Sequence, residues 1–232
     1  MIIALIKTLR EHLPWTNLIR GVLEKRGFDF HEHYSYVAKC IQKSGKVTRI
    51  LDIGTNGLSP LALCYNYVVS IDIKRNYGIT VLADCRYLPF RDRSFSHVVA
   101  LDLLEYIEKG QRHLAVGEMK RVRERVLIHS PLNDNAHVAK VLDTIISKYV
   151  KKNNCIKTYI SQHINCGYPS LVGSLKGFRI LRNDYSYSLF ITCWKIRTNY
   201  LASKLPLDII FFQIFRKVFR KGPFYGAFLI WP

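Results

Sequence analysis

Four aspartates follow apolar, strand-like runs in the second quarter of the sequence. They are Asp52, Asp72, Asp84 and Asp102. Each lies at the end of a run rich in aliphatic and β-branched residues, as expected where a buried parallel strand ends. Ligands of open parallel sheets bind outside the carboxyl ends of the strands. We therefore expect the four carboxylates at one edge of a sheet, around one ligand.

Carboxylates gathered at one edge repel one another unless a cationic or hydrogen-bond-donating ligand lies among them. S-adenosylmethionine meets this requirement, because it carries an ammonium group, a sulfonium, a ribose diol and an adenine amine. The loop 52-DIGTNGLS-59 places Gly54, Asn56 and Gly57 in the first turn. Glycine lets a backbone approach a ligand closely, and asparagine tolerates the left-handed region better than other side chains.

The second and third strand ends fit the remaining parts of such a ligand. Asp72 lies 20 residues beyond Asp52, where a carboxylate can accept hydrogen bonds from both ribose hydroxyls. Asp84 and Cys85 follow the third run, where a side-chain acceptor and a backbone N–H suit an adenine. Each signal is common alone, but their order and spacing together predict a cofactor site.

Strand-like and helical stretches alternate along most of the chain, which predicts a parallel sheet covered by helices on both faces. The strand-like runs are 48–53, 67–73, 79–85, 97–103, 125–131, 178–184 and 224–231. Helical patterns are expected over 1–47, 59–65, 105–123, about 133–149 and 185–222. The final run follows Gly222-Pro223 and is expected beside the fifth strand, antiparallel to it. The alternative makes 185–195 the last strand and the remainder a tail.

Three motifs carry a resemblance to a known family. They are 50-ILDIGTNG-57, 71-ID-72 and 83-ADCRYLPFRDRSFSHVVALDLLEYI-107. The stretch resembles the core of the class I S-adenosylmethionine-dependent methyltransferases, in particular the type 11-like group that includes the menaquinone and ubiquinone C-methyltransferases. The resemblance implies a Rossmann-like, three-layer α/β/α fold. Its seven-stranded sheet would be mostly parallel, with the last strand antiparallel.

The resemblance also implies a set of cofactor-binding residues, and the sequence departs from the family pattern near them. The set is Asp52, Gly54, Asn56, Gly57, Asp72, Ile73, Asp84, Cys85, Asp102 and Leu103. Asn56 stands where the family usually has glycine, which could alter the turn or weaken binding. Tyr106 replaces a frequent histidine, and 121-RVRER-125 replaces a Pro-Gly-Gly turn.

Two other classes of protein share part of this pattern. A nicotinamide dehydrogenase has a similar glycine loop, but Asn56 and Ser59 replace its second and third glycines. A non-catalytic polyanion-binding protein on a methyltransferase fold is the other alternative. It is disfavoured because a cleft for polyanions would not be lined by carboxylates.

Methyl transfer from a sulfonium needs alignment more than side-chain chemistry, and a base only if the acceptor must lose a proton. Weak candidates for that base are His129, Tyr106 and His33. No metal site is expected, because His31 and His33 lie on different faces of a helix and the six cysteines form no CxxC pair.

Basic residues outnumber acidic residues, and the excess is concentrated towards the C-terminus. The net charge is +18, of which residues 132–232 carry +11. Such a field attracts RNA, DNA or an anionic membrane surface. A small, lipophilic acceptor is the first hypothesis and an RNA acceptor the second. The stretch 205-LPLDIIFFQIFRKVFRKG-222 could pack as an ordinary helix over the site or lie in a membrane interface.

The expected organisation is an N-terminal helical cap over 1–47 and a methyltransferase domain over 48–232, with 185–222 as a helical lid insert. No signal peptide or membrane-spanning segment is recognised. A cytoplasmic protein, with a peripheral membrane contact as one option, is therefore predicted.

Overall fold

Seven strands form a single sheet in a computed structural model. The structure describes residues 28–45, 47–132, 140–141, 143–144, 147, 154–183, 187–198, 207–218 and 226–232. The strands are β1 (Ile50–Ile53), β2 (Val68–Asp72), β3 (Val81–Leu82), β4 (Phe95–Leu101), β5 (Arg123–Pro131), β6 (Arg179–Asn183) and β7 (Gly226–Trp231). Their order across the sheet is β3-β2-β1-β4-β5-β7-β6.

All strands of the sheet run in the same direction except β7, the last strand along the chain. The pairs β1–β2, β1–β4, β2–β3 and β4–β5 are parallel, whereas β7 is antiparallel to both β5 and β6. With helices on its two faces, this is the Rossmann-like arrangement that the resemblance implies, and the predicted fold class is confirmed. The predicted final strand is also confirmed beside the fifth strand and antiparallel to it, over its described part, Gly226–Trp231.

Five α-helices are described. They are α1 (Phe28–Lys43), α2 (Arg112–Arg121), α3 (Asn154–Cys166), α4 (Tyr187–Thr198) and α5 (Leu207–Phe215). Helices α4 and α5 fall between β6 and β7 in the chain, so the alternative that made 185–195 the last strand is wrong. The expected helices over 1–27 and most of 133–149 lie outside the described residues. The domain boundary at residue 47 and the covering role of 185–222 stay predictions.

Strand periodicity divides the core between two layers. Successive side chains of a strand point to opposite faces. In β4, Val98 and Ala100 pack with Val116 and Met119 of α2, whereas Val99 and Leu101 belong to a second cluster. That second cluster contains the residues of α1 that face the sheet, Tyr34, Val37 and Ile41. Helix α1 therefore covers the face of the sheet opposite α2.

Two expected helices are shorter than the pattern suggested. The stretch 59–65 contains only a 3-10 turn, Pro60–Leu63, which Ser59 caps by accepting a hydrogen bond from the Leu61 N–H. Helix α2 begins only at Arg112, because two short 3-10 turns, Leu104–Tyr106 and Lys109–Gln111, precede it. No described helix has the length and apolar character needed to cross a membrane.

Candidate functional site

A cleft of about 550 Å³ opens at the carboxyl ends of the parallel strands. It lies where the strand order reverses, between β1 and β4, which is where ligands bind in open α/β sheets. Its volume is in the range of small-molecule sites. The lining residues are Phe30, His33, Tyr34, Ile53, Gly54, Thr55, Asn56, Asp72, Ile73, Lys74, Ala83, Asp84, Cys85, Arg86, Leu101, Asp102, Leu103, Tyr106, Ile107, Glu108, Gln111 and Gln162.

The loop after β1 forms one wall of the cleft. Gly54 has φ +75°, and a β-carbon placed there would lie 2.8 Å from Cδ1 of Leu103. Asn56 has φ +49°, in the left-handed region that asparagine tolerates best among residues with a side chain. The turn is therefore kept although Asn56 replaces the usual glycine. Gly57 lies in the same turn but not among the lining residues.

Asp72, at the end of β2, fastens this loop. Its Oδ2 accepts a hydrogen bond from the Asn56 N–H at 2.9 Å, and its Oδ1 accepts one from the Lys74 N–H at 2.9 Å. The Asn76 side-chain amide donates to the Asn56 carbonyl at 3.1 Å. Since a carboxylate has about four lone-pair directions, Asp72 keeps acceptor capacity beyond these two hydrogen bonds, and it lines the cleft.

Asp52 has a different place from the one expected, because it is fully buried and does not line the cleft. Its Oδ2 accepts hydrogen bonds from the hydroxyls of Tyr34, at 3.0 Å, and Ser59. Tyr34 belongs to α1, so this carboxylate joins the helix, β1 and the 3-10 turn. Asp52 therefore stabilises the packing around the first loop through these two buried hydrogen bonds.

Asp84 lines the cleft, but its carboxylate is engaged by a neighbour. Arg86 forms a two-pronged ion pair with it, with Nε 3.0 Å from each carboxylate oxygen, and donates its backbone N–H to Oδ1 at 2.9 Å. This arginine holds the pKa of Asp84 below its usual value. The carboxylate expected to accept from adenine is therefore already occupied by a guanidinium. Beside it, burial raises the pKa of the Cys85 thiol to about 12.

Asp102 follows β4 and stands between two imidazoles. Its Oδ2 lies 2.9 Å from Nδ1 of His33, and its Oδ1 lies 2.6 Å from Nδ1 of His129. The Asp102 side chain is 36% exposed, whereas those of His33 and His129 are 2% and 0% exposed. Desolvation opposes the charged carboxylate, but the two imidazoles outweigh it and hold the pKa of Asp102 far below its usual value.

The structure separates the three candidate bases. His33 and Tyr106 line the cleft, and His129 does not. His33 is nevertheless almost fully buried. Of the hydrogen-bonded residues His33, Asp102 and His129, Asp102 is the most exposed to the cleft. The Tyr106 ring packs on the ring of His163, with centroids 4.6 Å apart.

The charge of the cleft differs from that of the whole protein. Among the described residues, its lining contains four carboxylates, Asp72, Asp84, Asp102 and Glu108, and two Lys or Arg side chains, Lys74 and Arg86. The whole chain has 35 basic and 17 acidic residues. The cleft is thus locally acidic in a strongly basic protein, which favours neutral or cationic ligands over phosphates.

Comparison of the sequence with protein-family models and with curated proteins finds no match. Among solved structures, the chain is similar to the YcgJ protein from Bacillus subtilis, with 15% identity, a TM-score of 0.47, and 86% of this chain and 97% of that chain covered. A SAM dependent methyltransferase from Archaeoglobus fulgidus gives 16% identity, a TM-score of 0.47 and coverage of 87% and 93%. For the PH0226 protein from Pyrococcus horikoshii OT3 the identity is 18% and the TM-score 0.37, and the match spans 43% of this chain and 57% of that one. All three TM-scores lie below 0.5, so the fold assignment depends on the sheet order and strand directions.

Two buried residues that shape the site were given no role in the sequence analysis. Arg112 is buried, with its Nε 2.8 Å from the Leu104 carbonyl and a terminal nitrogen 2.8 Å from the Cys166 carbonyl. It thereby fixes the segment after β4 against the end of α3. Glu105 is also fully buried, and desolvation, with the charge of Asp102, raises its pKa to about 7. An Arg on an amphipathic stretch is ordinarily interpreted as solvent-exposed, so no sequence signal marked Arg112. Glu105 lies within the motif 83–107, but the pattern did not indicate its burial.

Proposed function

We propose that the chain is an S-adenosylmethionine-dependent methyltransferase that acts on a small, largely apolar acceptor. One observation carries the proposal. A single cleft at the reversal point of the sheet is lined by eight of the ten residues expected to bind the cofactor, all except Asp52 and Gly57. Those residues come from the ends of four strands that are distant in sequence, so their convergence is a property of the fold.

The donor and acceptor groups of the cleft fit this cofactor. Asp72 presents a carboxylate with remaining acceptor capacity, as a ribose diol requires. Asp102 adds a partly exposed carboxylate to the lining of the cleft, where an ammonium or sulfonium would be stabilised. Ile73, Ala83 and Cys85 give an apolar wall suited to an adenine ring. Because Asp84 is paired with Arg86, we expect backbone groups to contribute to recognition of the base.

When bound, the cofactor supplies a methyl group on a sulfonium that is already activated for displacement. The chain's own contribution is to bind, orient and exclude water. Gly54 with Leu103 and the fastened loop define one wall, and α1 contributes Phe30 on another side. The identity of a base among His33, Tyr106 and His129 stays a prediction, and burial argues against His129 touching an acceptor.

The acceptor class is argued from the balance of charge. The described part of the lining holds four acidic and two basic residues, so an RNA phosphate backbone would be repelled there. Apolar lining from Phe30, Leu103 and Ile107 instead suits a lipophilic molecule. The net charge of +18 is the observation that favours RNA or another polyanion, which would then contact the outer surface.

A lipophilic acceptor is concentrated in membranes. We therefore also propose that the chain is a cytoplasmic protein that contacts a membrane surface peripherally. Ile214, Phe215 and Val218 are exposed at and beyond the end of α5, next to Arg216 and Lys217. Apolar side chains beside basic ones can bind an anionic interface. Sedimentation with vesicles of phosphatidylcholine alone or with phosphatidylserine tests it: we expect binding only to the latter, lost in Lys217→Glu.

The central experiment is a binding measurement on the purified full chain. We expect S-adenosylhomocysteine to bind with one equivalent in calorimetry and to raise the melting temperature. Transfer of a labelled methyl group to a lipid extract, but not to total RNA, would support the acceptor class. Absence of both heat and thermal shift at millimolar ligand contradicts the whole proposal. Binding without transfer to any extract would favour the non-catalytic alternative.

A further inference from the structure

Three elements bring His33, Asp102 and His129 to one point beside the cleft. His33 comes from α1, Asp102 from the residue after β4, and His129 from the carboxyl half of β5. The two nitrogens and the carboxylate oxygen all lie within 4.8 Å of one another. The residues are 69 and 27 positions apart in sequence, counted from Asp102, so no local motif announces the group.

The three ligand atoms lie close enough together to gather around one ion. Transition-metal bonds to imidazole nitrogen and carboxylate oxygen are about 2.0–2.2 Å long, so two ligands about 90° apart are separated by roughly 3 Å. The observed Nδ1–oxygen separations, 2.9 Å for His33 and 2.6 Å for His129, are hydrogen-bond distances, so these atoms would have to move slightly apart to admit an ion. Both imidazoles direct the same nitrogen, Nδ1, at the carboxylate. Small rotations of the side chains would place all three atoms around one ion.

The site is also held in shape by its surroundings. The rings of His33 and His129 lie 3.7 Å apart, and both pack on Phe228 of β7. The imidazoles are buried, and the 36% exposed Asp102 gives an entry path from the cleft. Asp102 itself has φ +51°, an uncommon conformation for a residue with a side chain. Three preplaced ligands and one open side are the features of a metal site that can also take a substrate.

We propose that His33, Asp102 and His129 bind a divalent transition-metal ion that opens on the cleft. Two imidazoles and one carboxylate suit zinc, iron(II) or cobalt(II), whereas magnesium and calcium prefer oxygen ligands. The competing explanation is that both imidazoles simply donate Nδ1–H to Asp102 with no ion present. That explanation and the metal site make opposite predictions for a titration with metal.

The site would also narrow the acceptor class, a consequence that rests on the proposed function. A ligand with a hydroxyl group could occupy an open coordination position, where the ion lowers the pKa of that hydroxyl. The proton would leave to solvent through the cleft. The acceptor class indicated is then an alcohol or phenol, and no side-chain base is required.

The test uses the full chain without a histidine tag, stripped of metal with a chelator. Cobalt(II) is titrated in and followed by its visible absorption, and zinc(II) is titrated against a chromophoric chelator. We expect one equivalent to bind with a dissociation constant on the order of 1 µM or tighter, and the ion to raise the melting temperature. Absence of stoichiometric binding by the wild-type protein overturns the proposal, whatever the variants do.

Variants locate the site. Asp102→Asn and His33→Asn should each weaken metal binding at least about tenfold, since even indirect ligand partners contribute that much. His113→Asn is the matched control, because His113 is exposed on α2 and should leave the affinity unchanged. Equal affinity in all four proteins would place the ion elsewhere and refute the assignment. S-adenosylhomocysteine is titrated into the same samples, so failure of the metal site and failure of the proposed function are seen separately.

Discussion

Replacing Asp72 by alanine tests the cofactor assignment at the residue that joins β2 to the first loop. The substitution removes the carboxylate expected to accept from the ribose diol, and it also removes the acceptors for the Asn56 and Lys74 N–H groups at 2.9 Å each. Hydrogen bonds to a charged group contribute about 1.5–3 kcal/mol each, and water partly replaces them in an open cleft. We expect a net loss of about 1–3 kcal/mol, which weakens S-adenosylhomocysteine binding roughly 5- to 150-fold.

Calorimetry on folded Asp72→Ala, Asp72→Asn and Asp92→Ala measures this effect. The asparagine variant keeps an acceptor for the loop but loses the charge, so its affinity should lie between alanine and wild type. Asp92 is the control, because its side chain is 75% exposed, pairs with Arg121 and does not line the cleft. If Asp72→Ala binds as tightly as Asp92→Ala, the strand-end carboxylate does not hold the ribose and the second motif is misassigned.

Two further predictions concern stability. Deleting residues 198–232 should unfold the domain, because it strips β7 from between β5 and β6; a soluble, cooperatively melting product in circular dichroism would refute this. Burial, followed by the charge of Asp102, raises the pKa of Glu105 from 4.5 to about 7, so the folded state keeps a proton that the unfolded chain releases. The contribution of the neutral Glu105 to the free energy of unfolding is fully present below pH 4.5 and is lost as the pH rises through 7. The free energy of unfolding then falls by up to about 3 kcal/mol. Urea denaturation of Glu105→Gln between pH 4.5 and 8 should show a flatter profile than wild type, and parallel profiles would count against the shift.

The strands were predictable because their signals are local. Runs such as 48–53 and 97–103 combine apolar content with an acid or glycine at the end, and each produced a strand within a few residues of the expected bounds. The final strand was likewise marked by Gly222-Pro223 and by its aromatic content. The segment 185–195 was ambiguous, because a short aromatic run suits a strand or a buried helix equally. The burial of Leu189 and Cys193, four residues apart, follows the helical period.

The site was predictable only in outline. Sequence order placed Asp72, Asp84 and Asp102 at one edge, but it could not show which carboxylates are already paired. Arg86 lies two residues from Asp84, and nothing in the pattern distinguishes a bidentate partner from a solvent-exposed arginine. The contact of His33 with Asp102 requires α1 to cross the end of β4, a matter of packing across 69 residues.

The position of β7 has a consequence for how the protein is made. Of the seven strands, β7 is the last along the chain, yet it pairs with β5 and β6 and lies inside the sheet. During translation, β5 is complete nearly a hundred residues before its partner exists, so its edge presents unpaired N–H and C=O groups beside apolar side chains. Prematurely terminated chains keep that open edge permanently and are therefore templates for aggregation. The seven-stranded sheet can be completed only after residues 226–231 have left the ribosome.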